Sequence, residues 1–298
     1  MSFERELDRI YKPLIRKSAK FGMRYFREWL DPLKQEIEQS SIKIVFETYV
    51  GKMFFFSGLS LIAIFLWMMF LFLVLTKIPV LFALVGSLLL SLVAAFAILT
   101  IFHSYPFQLV NSKKRSIEGN LPFAMNHMAA ISASGVPPFI MFKLLTGVEE
   151  YGEISSEAKL VVRNVESFGM DITTAMRQVA DRTPSDDFRQ FLYGIISTTE
   201  TGGSLEQYLK NAAKDALFNY RIKREKYLTT LSTYADFYTA VLIAAPLFFI
   251  SILSVMSMIG GQIMGLSITD AMQLGIYGLI PVLNVIFIMF IHFTQPVV

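Results

Sequence analysis

Four stretches of the chain, residues 53–75, 81–102, 237–259 and 274–293, contain no Asp, Glu, Lys or Arg. Each reaches the roughly 20 residues a helix needs to cross the hydrocarbon core of a bilayer, where backbone polar groups must be satisfied within the segment. The pattern therefore predicts four transmembrane helices in two hairpins. Ahead of them, Phe3, Leu7, Ile10, Leu14, Phe21 and Tyr25 recur near helical spacing, with Arg9, Lys12, Arg16, Lys17, Lys20, Arg24 and Arg27 between them. Pro13 is expected to start or kink that helix. This basic amphipathic arm reads as a membrane-surface helix, a docking arm for an acidic partner, or an element packed on the chain's own central region. Periodicity does not choose among the three.

Between the hairpins the pattern turns to short amphipathic helices, and it repeats. "GVPPFIMFKLL" starts at Gly135, "GMDITTAMRQV" at Gly169 and "GGSLEQYLKNA" at Gly202, spaced by 34 and 33 residues. Two places after each glycine stands Pro137, Asp171 or Ser204; an apolar residue follows at seven (Phe142, Met176, Leu209) and a base at eight (Lys143, Arg177, Lys210). Glycine suits the left-handed cap that ends one helix, and Pro, Asp or Ser starts the next. Thr183 in "TPSDD" and Ser155 or Ser156 are expected to start further helices. Six fit, over about 116–133, 137–148, 156–168, 172–182, 184–200 and 205–235. The tetratricopeptide repeat has a similar period, but its Trp, Leu, Gly and Tyr positions are missing.

Composition agrees with a second solvent. Of 298 residues, 54% are hydrophobic and only 17% charged, which is too apolar for an ordinary soluble chain. All of the 27 Lys and Arg except Lys77 lie in residues 1–52 or 103–236. Lys113, Lys114 and Arg115 follow the second stretch, and Arg221, Lys223, Arg224 and Lys226 precede the third. The positive-inside rule then puts the N-terminus, the central region and the C-terminus in the cytoplasm of a multi-pass cell-membrane protein. No removable signal peptide is expected, because the first apolar run begins only after residue 50. The net charge of +3 argues for lipid contact and against nucleic acid. The reading is thus an all-α membrane protein. It has an arm (1–52), a transmembrane hairpin (53–102), a cytoplasmic six-helix bundle (103–236), and a second hairpin with a short cytoplasmic tail (237–298).

The chemistry is sparse. "VGKMFFFSG" has a Gly-Lys pair but neither the upstream glycine nor the following hydroxyl of a phosphate loop. His103, His127 and His292 are far apart, cysteine is absent, and no cluster has metal-ligand spacing. No serine sits in a nucleophile elbow, and Glu149 and Glu150 read as an exposed helix end. No enzyme activity, cofactor or metal is expected. The interiors of the stretches hold only Ser, Thr and Asn284 as strongly polar groups, which disfavours a coupled transporter. A small-solute transporter or channel and a membrane-bound docking or regulatory protein stand as alternatives.

The order "LPFAMNHMAAISASGVPP", "VESFGMDITTAMRQVADR" and "TTETGGSLEQYLKNAA" between paired apolar stretches resembles the F-domain family of type II secretion and type IV pilus machines. Its members include the platform proteins GspF and PilC, the tight-adherence protein TadC and the archaellar FlaJ. The similarity covers roughly residues 103–290, carried by the turns at Gly135, Gly169 and Gly202–Gly203; a short chain with one such domain is more like TadC than like the two-domain PilC pattern. The resemblance implies a non-enzymatic inner-membrane platform that couples a hexameric secretion ATPase to extraction and assembly of pilin-like subunits in a pilus, secretion or archaellum machine. It also implies a homo-oligomer or pairing with a paralogous platform subunit. On this reading Lys143, Arg177, Glu200 and Lys210 face the ATPase, and the long helix over 205–233 transmits its motion. The partners are then the ATPase, pilin-like subunits and membrane lipids.

Overall fold

The computed structural model describes residues 2–40, 42, 44–74, 79–260, 262–263 and 265–294. The chain forms two compact units, Met1–Lys210 and Asn211–Val298.

In the first unit, α1 (Ser2–Tyr25) contains Pro13 in its interior, and α2 (Arg27–Gln39) follows after Phe26. Next come α3 (Phe46–Val74) and α4 (Val80–Ser132), which pack side by side and antiparallel. Ser57 Oγ donates to the Ala95 carbonyl at 3.0 Å, and a side chain at Gly86 would meet the Phe72 ring at 3.1 Å. Residues 116–133, expected as a separate helix, are instead the end of the 53-residue α4. Pro106 lies inside that helix and supplies no N–H to the carbonyl of Phe102. The Tyr49 hydroxyl donates to that carbonyl at 2.7 Å, so the helix passes the proline with the acceptor satisfied.

The arm folds onto α3 and α4 just where the charge-free stretches begin. Leu30, Leu33 and Ile37 of α2 form a buried cluster with Tyr49, Val50 and Met53, bordered by Leu99, Phe102 and Phe107. Trp29 stacks on His103 with ring centroids 4.1 Å apart. α1 presses Ile15 against Gly51, where a methyl group would meet its carbonyl at 2.5 Å.

After α4 come α5 (Pro138–Leu145), a 3-10 turn (Glu149–Tyr151), α6 (Glu153–Phe168), α7 (Ile172–Arg182), α8 (Asp186–Glu200) and the start of α9 (Leu205–Tyr238). The repeat extends well beyond its glycines. Met141, Phe142, Leu145, Ile154, Ala158 and Val161 are buried, and so are the residues 34 positions later: Ala175, Met176, Val179, Phe188, Leu192 and Ile195. Two helix pairs, α5–α6 and α7–α8, therefore bury the same positions. Asp171 caps α7 by accepting from the Thr173 and Thr174 amides at 3.0 and 3.4 Å. The cap of α8 is Ser185, which accepts from Phe188 N at 3.3 Å; Thr183 instead ends α7, because Pro184 cannot continue it. α6 starts at Glu153, two or three residues before the serines expected to start it, directly after Gly152 with φ 55°.

In the second unit, a π-helical turn (Thr239–Ala244) follows α9 without a break and leads into α10 (Ala245–Ile259). A two-residue antiparallel pairing joins β1 (Gln262–Ile263) to β2 (Leu266–Ser267). Then come α11 (Ile268–Leu274), a second π-helical turn (Gly275–Leu279) and α12 (Ile280–Thr294). Among the described residues four helical stretches are long and apolar enough to cross a membrane: Phe46–Val74, Val80–Ser132, Leu205–Ile259 and Ile268–His292. The chain is a multi-pass membrane protein of almost wholly helical structure.

Candidate partner-docking surface on the helix repeats

Gly135, Gly169 and Gly202 have φ of 71°, 64° and 70°, a region that side-chain-bearing residues rarely enter. Each turn ends one helix and lets the next begin within three residues. Gly203 has no positive φ; a side chain there would press on Thr198 Cγ2 at 3.3 Å. Gly135 and Gly202–Gly203 are brought together, lining with Ser132, Thr198 and Ser204 a depression of about 400 Å³. Gly169 is not part of it.

The bases at the eighth position are not equivalent. Lys143 Nζ lies 2.9 Å from Glu166 Oε1, and Arg177 Nη2 lies 2.9 Å from Glu200 Oε1. Each pair joins the first helix of a repeat to the second, across 23 residues of chain. The 34-residue period that relates Lys143 to Arg177 also relates Glu166 to Glu200, a signal that could have revealed Glu166 in the sequence. All four side chains are about half exposed, so each pair contributes no more than about 0.2–1 kcal/mol. Among the described residues Lys210 has no ion-pair partner; 23 residues on from it stands Thr233, further along the same helix.

Other features were not visible beforehand. Lys113 and Glu157 form a buried ion pair at 2.5 Å. Lys113 Nζ also donates to the Gln39 carbonyl at 3.3 Å, and Arg182 donates to the Glu38 carbonyl at 3.5 Å. Both cations thus sit at the C-terminal end of α2, where the helix dipole favours positive charge. Tyr208 lies over Gly194 so closely that a methyl group there would overlap its ring, and its hydroxyl donates to the Phe191 carbonyl at 3.1 Å. The Thr173 hydroxyl, bonded to the Asp171 carboxylate, holds that carboxyl below its ordinary range. Asp181 accepts from Tyr193 and pushes the phenol above its ordinary value. On the arm, Arg16, Lys17, Lys20, Arg24 and Arg27 are exposed. Arg9 and Lys12 lie on α1 with side chains outside the described residues. Among the described residues no group of three or more His, Cys, Asp or Glu is placed to hold a metal ion.

The family profile of the type II secretion system (T2SS), protein F, matches residues 124–253. The match starts inside α4, takes in both helix pairs and their glycine turns, and ends inside α10. Over these residues the chain is similar to the F domain of the type II secretion family. An uncharacterised protein of Methanocaldococcus jannaschii is 24% identical over 204 residues, 67% of this chain and 34% of that protein. Flagella accessory protein J of the same organism is 23% identical over 145 residues, and that of Methanococcus voltae 22% over 145, in each case 48% of this chain and 26% of the relative. The aligned part of the chain thus spans about a third or less of the length of these relatives. No solved structure matches it.

Proposed function

We propose that the chain is a platform subunit of a type IV filament or type II secretion machine, coupling a hexameric cytoplasmic ATPase to the extraction and assembly of pilin-like subunits. The observation that carries this reading is the match to the F-domain profile, whose residues begin in one membrane-capable helix and end in another. The similarity to two Flagella accessory J proteins points to the same class of machine. In this role the chain catalyses no reaction. A pilin's apolar segment of about 20 residues is held in lipid by roughly 6–12 kcal/mol, so removing it requires work from a motor.

On this reading the N-terminus, residues 103–236 and the C-terminus face the cytoplasm. The chain has no cysteine, so a single Ser204→Cys gives a clean label site. An impermeant maleimide should reach it only from the cytoplasmic side; labelling of intact cells from outside would refute the topology.

We assign Lys143, Arg177, Glu200 and Lys210 to the ATPase-facing surface, with the glycine turns setting their spacing. Because Lys143 and Arg177 are engaged with Glu166 and Glu200, reversing them also disturbs an internal pair. Lys210→Glu does not. Capture of the cognate ATPase by the full chain in lipid should weaken severalfold on Lys210→Glu and further on reversal of all three bases. Unchanged capture by the triple variant rejects this placement.

A further inference from the structure

α1 carries three stripes of side chains. Ile15, Ala19 and Gly22 are buried, with Gly22 under the ring of Phe54 and Ile15 against Gly51. Beside them, Leu14, Phe21 and Tyr25 repeat at helical spacing yet are 42%, 54% and 65% exposed. The third stripe is Arg16, Lys17, Lys20 and Arg24, all exposed, and residues 13–25 contain no Asp or Glu. Over residues 13–25 α1 therefore presents an open apolar face, largely aromatic, whose charged neighbours on the helix are all cations.

What covers that face follows from its position. The Phe21 and Phe26 rings lie 6.3 and 5.5 Å from the Phe54 ring, and Phe54 belongs to the charge-free stretch of α3 that begins at Met53. The open stripe is thus continuous with the surface of α3 where that helix enters hydrocarbon. Amphipathic rings gather at this depth, and bases beside them reach lipid phosphates. A protein partner would have to be acidic and to share the same shallow zone.

We propose that α1 is an anionic-lipid-binding helix. Leu14, Phe21 and Tyr25 lie in the boundary between headgroups and acyl chains, and Arg16, Lys17, Lys20 and Arg24 contact the phosphates of anionic lipids. This assignment does not depend on the platform function.

The test uses the full chain, one copy per nanodisc, with a nitroxide on Ser18→Cys. Ser18 lies on the open stripe, four residues from Leu14 and three from Phe21. In discs containing phosphatidylserine the label should collide more with oxygen and less with a water-soluble nickel complex than in phosphatidylcholine alone. Raised salt should remove the difference. Replacing Lys17, Lys20 and Arg24 together by Gln should abolish it, each lost cation weakening the lipid-bound state by about fivefold. Three results would overturn the proposal: equal water exposure in both lipids; burial in both that ignores charge neutralisation and salt; or burial only when two copies share a disc, which would give the face to a second chain. Failure of the unaltered chain to capture the ATPase, with the label still drawn deeper by phosphatidylserine, would count against the platform reading alone.

Discussion

Along α4, Ala83, Ser87, Ser91 and Ala95 place a small buried side chain every four residues, whereas along α10 only Leu253 is buried. Small residues let two helix backbones approach closely in lipid, and the Ser87 and Ser91 hydroxyls are satisfied by their own helix, on the Leu84 and Leu88 carbonyls at 3.1 and 2.9 Å. The α10–α12 region is joined differently. Pro246 and Pro281 each stand two residues past a π-helical turn, since a proline without an N–H crowds the preceding carbonyls and widens the helix. Aromatic rings and one polar contact fill the space: Phe237 on Phe287 at 6.2 Å, and the Tyr238 hydroxyl on Asn284 Oδ1 at 3.2 Å. Two membrane regions of similar apolarity therefore differ in construction, one closely packed along its length, the other interrupted in both helices.

The largest effect should come from the buried charges that tie the first unit together. Lys113→Ala leaves Glu157 buried without a partner and should lower unfolding stability by about 3–5 kcal/mol, read as a fall in melting temperature in detergent. Lys113→Met combined with Glu157→Leu should restore most of the loss; an equally unstable double variant would show that the pair does more than neutralise charge. Next, Ser91→Leu should destabilise by about 1–3 kcal/mol through overpacking, while Ser251→Leu on the exposed face of α10 should stay within about 0.5 kcal/mol. Equal effects at the two positions would dissolve the contrast. Smaller again, Tyr49→Phe removes the donor to the Phe102 carbonyl and should cost about 1 kcal/mol, against about 0.6 kcal/mol for Tyr238→Phe. The smallest effect is one of pH. The Asp171 carboxyl is held low in the folded chain, so its stabilisation is complete above the ordinary carboxylate range and is lost as pH falls through the depressed value. Protection of the Thr173 and Thr174 amides, taken relative to their intrinsic exchange rates, should therefore fall only under strongly acidic conditions, and Asp171→Ala should remove that fall.

Much of this architecture can be read from residue pattern. Stretches without charge marked the membrane-capable helices, and Gly135, Gly169 and Gly202 marked turns because only a left-handed cap lets helices follow so closely. The continuity of α4 was hidden. His103, Pro106 and the Lys113–Arg115 run look like punctuation, and the group that rescues the helix at Pro106 is Tyr49, 53 residues before the Phe102 carbonyl it satisfies. The ion pairs were hidden for a related reason: a basic residue at a fixed place in a repeat shows that a charge recurs, not whether its acid lies in the same chain. Glu157 gave no sign of being buried, because its partner and the α2 carbonyls converge only in three dimensions.

The 53 residues of α4 rise about 80 Å, while the hydrocarbon of a bilayer is only about 30 Å thick. Even with generous tilt, some 40–50 Å of this one rod stands clear of the lipid. Sideways force on its Ser132 end therefore acts on a moment arm longer than the membrane is thick, and the resulting torque falls on the collar formed by Tyr49, Trp29 and His103.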